Sequence, residues 1–122
     1  MARYPWKGGG AGRILTRMRR IIYAGSWFYT GDAIAEAFIQ YAAALARAET
    51  AGVIEFPGRN ADGDVQRLQV LIGPASQLIA EDADVEWPEI NSPEAVDRMG
   101  RLTAALEAPI PGYQPPLLID NE

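Results

Sequence analysis

The chain has 122 residues, 48% of them hydrophobic, and a formal net charge of −5, which fits one globular domain and excludes a wholly disordered polymer. It contains no His and no Cys, which excludes disulfides, thiolate metal sites, cysteine nucleophiles and His-activated serine chemistry. The charge is split along the chain: the first 20 residues carry six bases and no acid, and the remainder carries all 16 acids against five bases.

Residues 1–17 read as a flexible basic arm, with Tyr4-Pro5-Trp6 near its tip and Gly8-Gly9-Gly10-Ala11-Gly12 as a linker. The glycines follow no strand and lack a Gly-Lys-Ser/Thr ending, so they do not form a phosphate cradle. Met18 offers an alternative start, under which residues 1–17 would be an upstream extension. Ile21 to Tyr29 is aromatic and interrupted by Gly25-Ser26, unlike a secretory h-region, and no run approaches the roughly 20 apolar residues of a membrane span. A soluble, acidic, cytoplasmic protein is expected.

From Arg19 to Tyr29 the pattern predicts two short strands around a turn at Ala24-Gly25-Ser26, with Ile21 and Tyr23 on one face and Arg20 and Ile22 on the other. Thr30-Gly31-Asp32 is expected to cap the next element. Residues 32–49 form the clearest helix: Ile34, Phe38, Tyr41, Ala42 and Leu45 make one stripe, and Ala fills eight positions. Its polar face is thin, which calls for cover on a second side from the same domain or from a second copy. Gly52 is expected to end this helix.

Val53–Phe56 and Gln66–Ile72 are predicted as hairpin strands, with Asp62-Gly63 in the turn. Asn60 to Asp64 has the oxygen spacing that opens a calcium loop, but Val65 and Leu71 occupy positions where Gly and a bidentate Glu are needed. Gln77–Ala80 is expected to be a further strand and Glu81–Glu89 an acidic connection containing Trp87-Pro88. Ser92-Pro93-Glu94 opens a second helix, with Val96, Met99, Thr103 and Leu106 as its buried stripe. Residues 109–122 read as an extended Pro-rich tail ending in Leu117-Leu118-Ile119.

The fold class expected is α+β: a small antiparallel sheet of four or five strands, one long Ala-rich helix and a second C-terminal helix, in a single domain over 18–108. The predicted core is Ile34, Phe38, Tyr41, Leu45, Val53, Phe56, Leu68, Val70, Ile72 and Leu102 or Leu106.

For function, the residue types point to a small non-enzymatic interaction or accessory protein that self-associates as a homodimer. The partner-contact residues expected are Trp6, Arg17, Arg19, Arg20, Trp87, Tyr113, Leu117, Leu118 and Ile119. No catalytic, cofactor-binding or metal-binding residues are expected. One alternative is a small-molecule binding module or carboxylate-based enzyme using Glu81, Asp82, Asp84, Glu86 and Glu89. Another is nucleic-acid binding, with the arm's bases on phosphates and Tyr4 and Trp6 stacking on bases; the acidic body opposes it. Deleting residues 1–13 is expected to leave the melting temperature unchanged, because a Gly-rich segment buries little. A thermal melt of the shortened chain checks this.

Overall fold

The computed structural model describes residues 15–108. Five strands, β1 (Thr16–Tyr23), β2 (Ser26–Thr30), β3 (Gly52–Arg59), β4 (Val65–Ile72) and β5 (Leu78–Val85), form one antiparallel sheet. Their order is β4-β3-β2-β1-β5. Helix α1 (Asp32–Arg47) joins β2 to β3, and α2 (Pro93–Glu107) follows β5. The α+β architecture expected from the sequence is the one observed.

The β1–β2 hairpin turns at Ala24 and Gly25, both with positive φ (55° and 80°), which is the twist a two-residue hairpin requires. On β1, Thr16 and Arg17 already pair with Val85 and Asp84, so two residues that composition assigns to the arm belong to the sheet.

The sheet is strongly coiled. Counted from the Tyr29–Arg59 pair, Tyr23 lies three residues to one side along β1 and Leu71 six residues to the other along β4. In a flat sheet that separates them by roughly 30 Å along the strands, at about 3.3 Å per residue. Yet the Tyr23 hydroxyl donates to the Leu71 carbonyl and lies 3.1 Å from Ser76 Oγ. Only a sheet that curls back on itself makes both statements true, and residues 73–77 bridge the closure from β4 to β5.

The core fills the inside of this curl. Phe28, Phe38 and Phe56 meet at centroid distances of 5.1–6.3 Å, joining β2, α1 and β3. The α1 stripe of Ile34, Phe38, Tyr41, Ala42 and Leu45 is buried as its periodicity requires. Its second flank is covered by α2, which lies parallel to it. Ile34 shares one cleft with Val96, Leu45 shares another with Leu106, and Arg47 pairs with Glu107. The thin polar face of α1 is therefore satisfied within the chain.

Several expectations need correction. The α1 N-terminus has no side-chain cap from Thr30, Gly31 or Asp32. The Thr30 hydroxyl, fully buried, donates instead to the Pro57 carbonyl, and Glu89 accepts from the Asp32 N–H. The helix ends before Gly52: Glu49 adopts a left-handed φ of 55°, and Glu49 and Thr50 donate to Ala46 and Leu45, a Schellman arrangement. Gly52 opens β3.

Val53 is exposed and Ile54 buried, because Ile54 pairs with the buried Val70 across the hairpin. On α2, Leu102 is exposed, and Ala95 and Met99 are the fully buried residues. Glu81 to Val85 is strand rather than connection, since every residue of it pairs with β1.

Phe38→Ala is expected to cost about 3–5 kcal/mol, the usual loss for a buried aromatic, read by chemical denaturation. Glu49→Gly should raise stability by about 0.5–1 kcal/mol, because glycine relieves a left-handed residue at the helix end. The same measurement reads its sign.

Candidate interaction surface

On β1 and β5 the two halves of the charge pattern meet. Arg17, Arg19 and Arg20 stand directly opposite Asp84, Asp82 and Glu81. Arg17 lies 3.7 Å from Asp82 and 4.0 Å from Asp84, and Arg19 lies 3.1 Å from Asp32 at the α1 N-terminus and 3.7 Å from Asp82. Arg20 binds Glu81 through Nε and Nη2, and its guanidinium also lies 5.9 Å from the Tyr29 ring centroid. Glu81 first, and Tyr29 next, hold Arg20 more firmly protonated than a free guanidinium. Such partly exposed pairs contribute at most about 1 kcal/mol each. They join these arginines to carboxylates of β5 and, for Arg19, also to Asp32 of α1.

Trp87 also has an internal assignment. The segment 86–91 crosses the outer face of the sheet from β5 to α2 as a strap. Trp87 packs edge-on to Tyr29 at 5.3 Å, and the Arg59 guanidinium lies 5.9 Å from its ring. Arg59 donates to the carbonyls of Gly63 and Pro88, tying the β3–β4 loop to the strap. Gly63 has φ of 92°, and a Cβ there would come within 2.3 Å of the Trp87 ring. The loop itself is an Asx turn in which Asn60 Oδ1 accepts from the N–H groups of Asp62 and Asp64. No group of three or more metal-capable side chains occurs among the described residues.

The strap also explains a departure from alternation. Met18 and Ile21 are both fully buried although three positions apart, and their β5 partners Ala83 and Ala80 both pack on the core. The register runs unbroken from Thr16–Val85 to Tyr23–Leu78, so Met18 belongs to the outer face, the one the strap crosses.

Beyond the strap, the part of the outer face formed by the ends of β2, β1 and β5 is apolar and open. Ile22 pairs with Trp27 on one side and with Ile79 on the other, making a row across three strands. Trp27 is 48% exposed and Ile79 56%. A second outward pair, Val53 and Leu71, is 52% and 63% exposed on the β3–β4 hairpin. Curling of the sheet brings Leu71 to within a side-chain length of Tyr23, next to this row. Trp27 was legible only as part of the cluster Tyr23, Trp27, Phe28 and Tyr29. The signal that places it outside is alternation: with Phe28 in the core, Trp27 points the other way.

Of the other partner-contact residues expected, Trp6, Tyr113, Leu117, Leu118 and Ile119 lie outside the described residues. A cleft of about 320 Å³ between β4 and the start of α2 is bordered by Arg67, Glu94 and Arg98. Glu55 engages both arginines, Arg67 through its carboxylate and Arg98 through its carbonyl, and no pair of carboxylates lines the cleft. No family model, no curated protein and no solved structure matches this chain.

Gly63→Ala should cost roughly 2–4 kcal/mol, the sum of left-handed strain and an overpacked Trp87. Loss of the native tryptophan fluorescence at lower denaturant concentration is the expected readout.

Proposed function

We propose that this protein is a small non-enzymatic interaction module that self-associates through the outer face of its sheet. The observation that carries the reading is the row Ile79–Ile22–Trp27, an apolar strip with a half-exposed tryptophan at its end. Water contact with such a strip is unfavourable by about 25 cal/mol per Å², and a symmetric dimer removes it for both copies at once. Val53 and Leu71 are a second exposed apolar pair on the β3–β4 hairpin, and a stable interface needs about 1,200 Å² in total.

The non-enzymatic part rests on chemistry. The chain has no His or Cys to act as base or nucleophile. Of the acids in the 81–89 run, Glu81 and Asp82 bind arginines and Glu89 caps α1. A reducing, cytoplasmic setting suits a cysteine-free chain. No helix among the described residues is long and apolar enough to cross a membrane.

Light scattering at micromolar concentration tests the proposal. A mass near twice 13.3 kDa is expected for the full chain, falling to the single-chain value in the Ile79→Lys and Trp27→Ser variants. A single-chain mass for the unaltered protein at tens of micromolar would overturn it. A dimer that both variants leave intact would remove this face from the interface.

A further inference from the structure

We propose that the cleft between β4 and the start of α2 binds a small organic anion: a carboxylate with a single negative charge and a compact apolar body, of the benzoate class. The cleft encloses about 320 Å³, at the lower end of the range that small-molecule sites occupy, about 300–1,000 Å³. Phe56, Pro57 and Val65 give it an apolar wall, and Arg67, Ser92 and Arg98 bring hydrogen-bond donors to its border.

Arg98 carries the argument. Glu94 stands four residues before it on α2, the spacing at which a glutamate and an arginine ordinarily pair. Here they do not. Arg98 Nη2 donates instead to the Glu55 carbonyl at 2.8 Å, and among the described residues no carboxylate forms an ion pair with it. A half-buried guanidinium is thus held against a neutral carbonyl, its charge unanswered and most of its donors uncommitted, beside an open cleft.

The neighbouring groups point to the same sign of ligand charge. Ser92 Oγ accepts from the Ala95 N–H, which leaves its own proton for a further acceptor. Pro93 has no N–H, and the Glu94 N–H in the first turn has no acceptor within the helix, so the positive end of α2 lies at the cleft's border. Arg67 comes from β4, its charge shared with Glu55, which also accepts from Gln69. Glu94 is the one carboxylate on the border, and it sets the ligand's charge. A phosphate dianion meets up to about twice the repulsion from Glu94 that a carboxylate does. The apolar wall also offers nothing to a bare inorganic ion. Ile22, Trp27 and Ile79 do not border the cleft, so this site is separate from the apolar row.

Sodium benzoate titrated into the full-length, isotopically labelled protein at constant ionic strength tests the site. The backbone amide signals of Gln66, Glu94 and Ala95 are expected to shift and saturate with a Kd in about the millimolar range, modest for a ligand of this size. Benzamide, the neutral analogue, should shift none of them, and inorganic phosphate should bind about tenfold more weakly than benzoate. Arg98→Gln is expected to weaken benzoate about tenfold. Glu94→Gln removes the repelling charge and breaks no ion pair among the described residues, so it should strengthen benzoate about twofold. The proposal is overturned by the absence of saturable shifts at about 50 mM benzoate. It is overturned equally by benzamide or phosphate binding as well as benzoate, or by a folded Arg98→Gln chain of unchanged affinity. Should Arg98→Gln fail to fold, the Glu94→Gln titration decides, and an unchanged or weaker affinity there sinks the proposal.

Discussion

The eight residue pairs between β1 and β5 hold the rest of the molecule in place. They join Thr16–Tyr23 to Leu78–Val85 in unbroken register, and β1 is at the same time the partner of β2. With β5 fixed beside β1 and β4 fixed by the meander through β3, the short link 73–77 forces the sheet to curl. The curl creates an inside large enough for Phe28, Phe38 and Phe56 to meet, and leaves α1 to close it. It also leaves an outside, which the strap covers in part. Core, strap and open apolar row are thus three results of one pairing.

The strap is a second set of constraints laid over the first. Trp87 rests on Tyr29, Arg59 holds the Gly63 and Pro88 carbonyls, and Glu89 caps α1. Apart from the local Arg59–Gly63 bond, these contacts join residues far apart in the chain, so the strap locks the β3–β4 loop, the end of β2 and the start of α1 together. Arg59 Nε is buried without a hydrogen-bond partner. That cost is borne beside two charge-assisted bonds from the same guanidinium.

What the sequence disclosed was whatever local patterns determine. The α1 stripe, the Ser92 cap, the Ala24-Gly25 turn and the alternation of Leu68, Val70 and Ile72 depend on neighbours within a few residues. All of these stand in the structure. The acidic half of β5 was illegible because Asp and Glu are poor strand formers alone. Arginines some 60 residues earlier stabilise it as strand. The frame of β3 was ambiguous because Val53 and Ile54 are equally apolar, and pairing with Val70 decides it. Of the residues expected at an interaction surface, Arg17, Arg19, Arg20 and Trp87 make contacts within the chain that only distant strand pairing sets up. The outer row escaped notice because Ile22, Trp27 and Ile79 come together only through pairing.

The same β1–β5 pairing sets an order of events when the chain is made. β1 and β2 emerge first and pair as a hairpin, but β5 follows some 55 residues later. At about 5–20 residues per second, the far edge of β1 waits several seconds for its partner. During that interval it is an unpaired, β-branched edge of the kind that recruits other strands. Arg17, Arg19 and Arg20 lie along it, and like charges on every nascent copy repel one another. The arginines that later face Asp84, Asp82 and Glu81 thus put a row of like charges on that edge while it waits.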